Sequence, residues 1–340
     1  MAVRMKDIAR ELGVSVVTVS KVLRKHSDIS DGTRQRVLKK MKDLNYQPNF
    51  AARALVTGRT YTVGLVVPDL VHPFFAEVAK GLSSTLRKRG YSLILASSEE
   101  DPDLEAQEIG RLLARRLDAI VITSTQWTVE SFHRIEEEKI PYVLVDRRFA
   151  GLSANFVGVD DVSVGELATE HLVAVGCRRI AHVRGPQVST ASGRLEGYRR
   201  VLARHNLVLL PEYIPTATAG DDNSEARGRE AMQQLLKLDL RPDGVFCYND
   251  PTAMGAMNAI LDAGLRIPED IAIIGCGNVH YDPSLRVPLS SIDQQSAAMG
   301  ERAAKLALSL IQSKGGGRPR RIILEPKLVA RSSTERTSSA

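Results

Sequence analysis

Apolar positions in the first sixty residues fall at helical spacing in three short runs. Ile8, Ala9 and Leu12 share one helical face, and Gly13 marks its end. Ser15 stands where an N-cap is expected, ahead of a second helix that turns Val19, Val22 and Leu23 inward. A third helix is predicted from about Ser30 to Asn45, with Val37, Leu38, Met41 and Leu44 on its inner face. The tight Leu12-Gly13-Val14-Ser15 connection makes the first two a helix-turn-helix, which leaves its second helix exposed for docking.

After Tyr61 the pattern changes to short apolar runs separated by amphipathic stretches. Strands are predicted at Thr62 to Val67, Ser92 to Ala96, Ala119 to Thr123, Tyr142 to Asp146, Phe156 to Val159, Ile180 to Val183, Gly244 to Tyr248, Ile271 to Ile274 and Ile322 to Leu324. Helical stretches lie between most of them, and such alternation implies α/β structure with parallel sheets covered on both faces. There are more strands than one small sheet takes, so the economical layout is two doubly wound parallel-sheet subdomains facing a cleft, with ligands at the carboxyl ends of the strands. The polar tail, 332–340, is expected to be disordered.

Charge sharpens the division. The chain of 340 residues has a net charge of +6, but 1–60 holds 13 Lys or Arg against 5 Asp or Glu, while the other 280 residues hold 33 against 35. A basic segment on a neutral body is the electrostatic footprint of a phosphate-binding module. Cys177, Cys247 and Cys276 are widely spaced and set in apolar surroundings, which suggests reduced core residues rather than a disulfide framework or a zinc site. Arg4, Lys6, Asp7 and Arg10 interrupt the start of the chain and no apolar run is long enough to cross a bilayer, so a cytoplasmic protein with no membrane partner is expected.

Particular stretches then become recognisable. Met5-Lys6-Asp7-Ile8-Ala9-Arg10-Glu11-Leu12-Gly13-Val14-Ser15, Thr18-Val19-Ser20-Lys21-Val22-Leu23, Asn45-Tyr46-Gln47-Pro48-Asn49 and Ala51-Ala52-Arg53-Ala54-Leu55 closely resemble the headpiece and hinge of LacI/GalR (lactose and galactose repressor) transcription regulators. The likeness continues through Val67-Pro68-Asp69, Pro73-Phe74-Phe75-Ala76-Glu77, Val145-Asp146-Arg147-Arg148, Arg194-Leu195-Glu196-Gly197-Tyr198 and Asn249-Asp250, up to about Arg331. It implies a helix-turn-helix headpiece over 1–48, a hinge helix and linker over 49–60, and a periplasmic-binding-protein-like body over 61–331. One subdomain of that body would comprise 61–160 plus about 294–319, the other 161–293 plus about 320–331.

The resemblance also assigns residues. Val16, Val17 and Lys21 would read base edges in the major groove, the valines through shape and thymine methyls and Lys21 through hydrogen bonds, while Ser15 and Thr18 are placed for phosphates. The segment from Asn49 to Val56 spans about two turns, too short to hold a helix alone in water, so it should fold only with help. In the resembled family it folds when two protomers pair over the centre of the operator, where the residue matching Leu55 wedges between base pairs in the minor groove. Ala52 is small enough for two such helices to approach, and Arg53 could reach a phosphate or the groove floor.

For the effector, Asp146, Arg194, Asn249 and Gln294 match polar ligand contacts of the family, Phe74 is a candidate apolar wall, and Arg148 could join Arg194 in holding an anionic group. Replacing Arg194 by Ala is expected to remove the effector response without unfolding the protein. Asp250, before Pro251, looks like a helix N-cap. Two positions depart from the pattern: Gly277 in Gly275-Cys276-Gly277-Asn278 stands where relatives often carry a carboxylate, and Asn223 where an aromatic platform is frequent. Trp127 could supply a replacement surface. A sugar, a sugar phosphate or a sugar acid all remain open.

No GxxxxGK[ST], HExxH or GxSxG stretch is found, so no catalytic residues, metal or cofactor are expected. The rival readings are a solute-binding receptor, which would need export, and an architectural DNA-binder without ligand control. Partners implied by the resemblance are operator DNA, a small-molecule effector and a second copy of the chain. The stretch after Leu328-Val329-Ala330-Arg331 has no heptad pattern, so a homodimer is expected rather than a tail-built tetramer.

Overall fold

Three short helices bury one stripe each to form the amino-terminal unit: α1 (Met5–Leu12), α2 (Val16–Leu23) and α3 (Asp31–Asp43). The computed structural model describes residues 3–23, 26–46, 54, 57–126, 129–149, 151–215, 223–313 and 317–336, and the chain divides after Thr60 into two units. Gly13 ends α1 in the left-handed conformation, φ 65°, that a side chain would resist. Ser15 Oγ accepts the Thr18 amide at 3.0 Å, and Ser30 caps α3 through the Thr33 amide at 3.4 Å. The unit's core is Ile8, Ala9, Val19, Val22, Val37 and Met41. Leu38, expected inside, is 45% exposed, because Val37 and Met41 already fill the inner face of α3.

The second unit, Tyr61–Ala340, contains two sheets. The first joins β1 (Thr62–Val67), β2 (Ser92–Ser97), β3 (Ala119–Ile122), β4 (Tyr142–Val145), β5 (Asn155–Val159) and β10 (Arg321–Leu324) in the order β10-β5-β4-β3-β1-β2, all parallel. The second joins β6 (Ile180–Val183), β7 (Gly244–Cys247), β8 (Ala272–Cys276), β9 (Ser290–Asp293) and β11 (Lys327–Val329) in the order β11-β9-β8-β7-β6, parallel apart from β11. Central strands are apolar throughout because helices cover both faces. Those helices are α4 (Pro73–Arg87), α5 (Pro102–Ala114), α6 (Glu130–Glu137), α7 (Asp161–Ala174), α8 (Ser189–Arg204), α9 (Ser224–Leu236), α10 (Asp250–Asp262) and α11 (Ser296–Gln312). Helices α4 and α11 pack backbone to backbone at Gly81 and Gly300: a Cβ on Gly81 would stand 2.1 Å from the Ala297 carbonyl oxygen.

Three features differ from the sequence expectation. Strand β10 pairs with β5, so 321–324 belong to the first subdomain and the chain crosses to the second only at 325–327. Strands β9 and β11 went unpredicted. Ser290 and Ser291 of β9 are fully buried, and they are tolerated there because each side chain is hydrogen-bonded, Ser291 Oγ donating to Asp250 Oδ1 at 2.7 Å. Residues 332–336 of the tail are packed on the second sheet, while 337–340 lie outside the described residues: Ser333 and Thr334 are buried, the Ile273 amide donates to the Ser333 carbonyl at 2.9 Å, and Ser333 Oγ donates to the Ile273 carbonyl at 2.6 Å. A polar segment that supplies its sheet with paired donors and acceptors need not be disordered.

Candidate functional site

In the amino-terminal unit the first turn of α2 faces outward. Val16 is 43% and Val17 63% exposed, large apolar side chains that the three-helix core does not absorb. Ser15 Oγ and Thr18 Oγ1 lie 2.9 Å apart beside them. Lys21 follows on the same helix, its ammonium against the Asp28 carboxylate, which holds Asp28 below its ordinary range. The expected reading positions thus share one exposed face of this unit. Asn49, Ala52, Arg53 and Leu55 lie outside the described residues, as does Trp127.

In the second unit, the carboxyl ends of β4 and β7 and the starts of α4, α8 and α10 converge on a polar cavity of about 40 Å³ between the two sheets. Phe74, Asp146, Arg194, Asn249 and Gln294, all expected there, do line it, together with His72, Glu100, Arg147 and Tyr248. Asn249 is the N-cap of α10, its Oδ1 accepting the Thr252 amide at 2.9 Å. The cap therefore sits one residue before Asp250, the residue expected to provide it. Asn249 Nδ2 reaches His72 Nε2 at 3.0 Å and Ser224 Oγ at 3.3 Å. The Phe74 amide lies 3.3 Å from His72 Nδ1, so two donors compete for the one acceptor nitrogen of a neutral imidazole. Burial, with Arg147 and Arg194 adding to it, pushes His72 down to about 4, so the ring is neutral at pH 7.

Arg194 crosses the floor. Its Nε donates to Asp161 Oδ1 at 3.2 Å, one terminal nitrogen donates to the Tyr248 carbonyl at 2.6 Å, and the guanidinium lies 4.6 Å from the centre of the Tyr248 ring. Burial pushes Asp161 up to about 7 against the pull of Arg194. Arg147 is bound by both oxygens of Glu100, at 2.7 and 2.9 Å. Burial also raises Asp146, which Arg194 and Arg147 draw back down, and Gln294 Nε2 lies 3.4 Å from its Oδ1.

Arg148 is absent from this lining. Asp146 has φ 65°, so strand alternation breaks there and Arg147, not Arg148, turns into the cleft. Arg148 instead lines a separate groove. Glu100 gave no signal in the sequence, being 47 positions from the arginine it binds, whereas Tyr248, an aromatic at a strand end beside Asn249, could have been found. Asn223 caps α9 by accepting the Ala226 amide at 2.9 Å, and Gly277 holds φ 135°, so both departures from the resembled pattern have local structural uses. Among the described residues no group of His, Cys, Asp or Glu could hold a metal ion, and no helix is long and apolar enough to cross a membrane.

Residues 4–49 match the model for bacterial regulatory proteins of the lacI family, and 169–334 match a periplasmic binding protein-like domain. The chain is 32% identical over 334 residues to the HTH-type transcriptional repressor PurR of Mannheimia succiniciproducens, covering 98% of each chain. The chain belongs to the LacI family. Similarity to PurR of Haemophilus influenzae is also 32%, over 337 residues, covering 97% of this chain and 98% of that protein. Among solved structures, the lac repressor dimer bound to operator and the anti-inducer ONPF superposes with TM-score 0.84 at 26% identity, covering 98% of this chain and 99% of that one. A complex of the regulator CelR with cellobiose superposes with TM-score 0.72 at 27% identity, covering 97% and 99%. As a LacI-family member, the chain is a DNA-binding transcriptional repressor with an effector-binding domain, and the family is one of regulators, not enzymes.

Proposed function

We propose that this repressor binds a near-palindromic operator as a homodimer in the cytoplasm and that a small neutral polyhydroxylated molecule, a sugar, occupies the cleft and tunes its grip. The observation that carries the ligand class is the charge balance of the lining. Arg147 is already held by both oxygens of Glu100, Arg194 is tied to Asp161 and the Tyr248 carbonyl, and His72 is neutral. Such a lining offers donors and acceptors to hydroxyl groups but no surplus positive charge to a phosphate or carboxylate, so the sugar phosphate and sugar acid readings rank below it.

The mechanism follows from where the cleft lies. Three crossings join the subdomains, between β5 and α7, between β9 and α11, and between β10 and β11. At about 40 Å³ the cleft is below the size of a ligand pocket, so a ligand touching Asp146 and Phe74 on one side and Arg194 and Asn249 on the other must part the two sheets to enter and thereby alters the preferred angle between them. In a dimer that angle decides whether the two hinge segments meet over the operator with Leu55 as wedge, Asn49, Ala52 and Arg53 flanking it, and Ser15, Val16, Val17, Thr18 and Lys21 in the major groove. A coupling of about 1–3 kcal/mol, roughly 5- to 150-fold in operator affinity, is the usual size.

A purine is the second reading, favoured by the PurR relatives. Two measurements test the proposal. Footprinting on genomic fragments should reveal one short inverted repeat, and protection of unrelated sequences with equal affinity overturns the operator reading. A thermal-shift series with ribose, glucose, cellobiose, glucose 6-phosphate, gluconate and hypoxanthine should stabilise the protein with a neutral sugar. Stabilisation by hypoxanthine or by an anion alone overturns the ligand class.

A further inference from the structure

The larger cavity of the second unit lies away from the cleft, and no role described so far uses it. Its volume is about 590 Å³, against about 40 Å³ for the cleft, and falls in the range that takes a small organic ligand. Its walls come from the segment between β4 and β5, from Ser189 at the start of α8, and from Pro319 and Arg321 leading into β10.

The chemistry of these walls is one-sided. Leu144 and Phe156 form a floor, with Phe149 and Leu152 beside them. The Phe156 ring lies across Gly158, where a Cβ would come within 2.4 Å of it, so the floor depends on that glycine. Arg148 and Arg321 line the opening and no acidic residue does. Arg148 stands 5.8 Å from the centre of the Phe156 ring. Among the described residues neither arginine makes an ion pair or a side-chain hydrogen bond. Two buried arginines of this unit are matched by carboxylates, Arg147 by Glu100 and Arg194 by Asp161.

We infer that this groove is a second ligand site, taking a small aromatic carboxylate whose ring lies on the Phe149–Phe156–Leu152 surface and whose anionic group meets Arg148 and Arg321. The groove is placed to affect the cleft. Arg148 directly follows Asp146 and Arg147 of the cleft lining, and its amide donates to Ser189 Oγ at 2.8 Å, so an occupant touches both subdomains. The inference does not depend on the operator or on the cleft ligand.

The test is calorimetric titration of the full-length protein with 1-naphthoate. Saturable binding of one molecule per chain is expected, at least tenfold weaker in the double variant Arg148→Gln/Arg321→Gln and at least tenfold weaker for neutral 1-naphthalenemethanol. Both arginines are exposed, so the double variant should keep the wild-type melting temperature. Absence of saturable binding, equal affinity in the double variant, or equal affinity for the alcohol would each overturn the inference.

Discussion

Replacing Arg194 by alanine should destabilise this protein as well as blind it to effector. Arg194 is 2% exposed, and its side chain ties three elements: Asp161 at the start of α7, the Tyr248 carbonyl at the end of β7, and its own helix α8. Removing it strands a buried carboxylate, a change that costs about 3–5 kcal/mol. At roughly 2 °C per kcal/mol for a domain of this size, the midpoint should fall by about 6–10 °C. The loss depends on pH, with a sign set by Asp161. Its folded pKa, about 7 with Arg194 present, lies above the unfolded value of 3.8, so ionising it in the folded state costs stability as pH rises. Without Arg194 the folded value rises further, and variant and wild type diverge through Asp161 only above pH 7. At pH 5.5 both carry the proton, and the residual loss is the orphaned Tyr248 carbonyl, about 1–3 kcal/mol. Calorimetric melts at pH 5.5 and 8.5 should therefore show a small and a large drop, and Arg194→Met/Asp161→Asn should recover most of the alkaline loss. Equal drops at the two pH values, or none at either, would refute the reasoning.

Other expectations can be checked in the same material. Asp282 is buried beside Asp250, and burial with that neighbouring charge pushes it up to about 9, so stability should decline as pH rises from 4 towards 9, at a ceiling of about 1.4 kcal/mol per pH unit. Asp282→Asn should flatten that decline and raise the melting temperature at pH 8; an unchanged slope would remove Asp282 as its source. Lys21→Ala should relax base preference at one half-site position in competition binding, whereas a uniform loss over all sequences would make Lys21 a phosphate contact. Leu55→Ala should weaken operator binding in titrations by about tenfold or more, since an apolar wedge offsets unstacking of a few kcal/mol, while effector binding is retained; equal operator affinity would exclude the wedge.

Much of this was legible in the chain. Helical spacing around Ile8, Val19 and Val37, the Gly13 turn and the Ser15 cap are local features, written in a few neighbouring residues, and the structure has them as the sequence predicts. Apolar runs marked the central strands equally well, because a strand covered on both faces must be apolar along its length. Asp146, Arg194 and Asn249 were placed in the cleft by their match to polar ligand contacts of the resembled family, and they do line it.

What the sequence left open was decided by pairing between distant parts of the chain. Strand β9 and the segment around Ser333 are polar and are buried only because partners far away satisfy them, and β11 is a short, largely exposed strand held by its antiparallel pairing with β9. Strand β10 joins the first sheet through β5, a choice between two available edges that no local pattern records. The left-handed residue Asp146 exchanged the fates of two adjacent arginines, sending Arg147 to Glu100 and Arg148 to a separate groove. Local periodicity fixes which elements form, but a buried polar group is stable only where its partner arrives, and that meeting belongs to the tertiary structure.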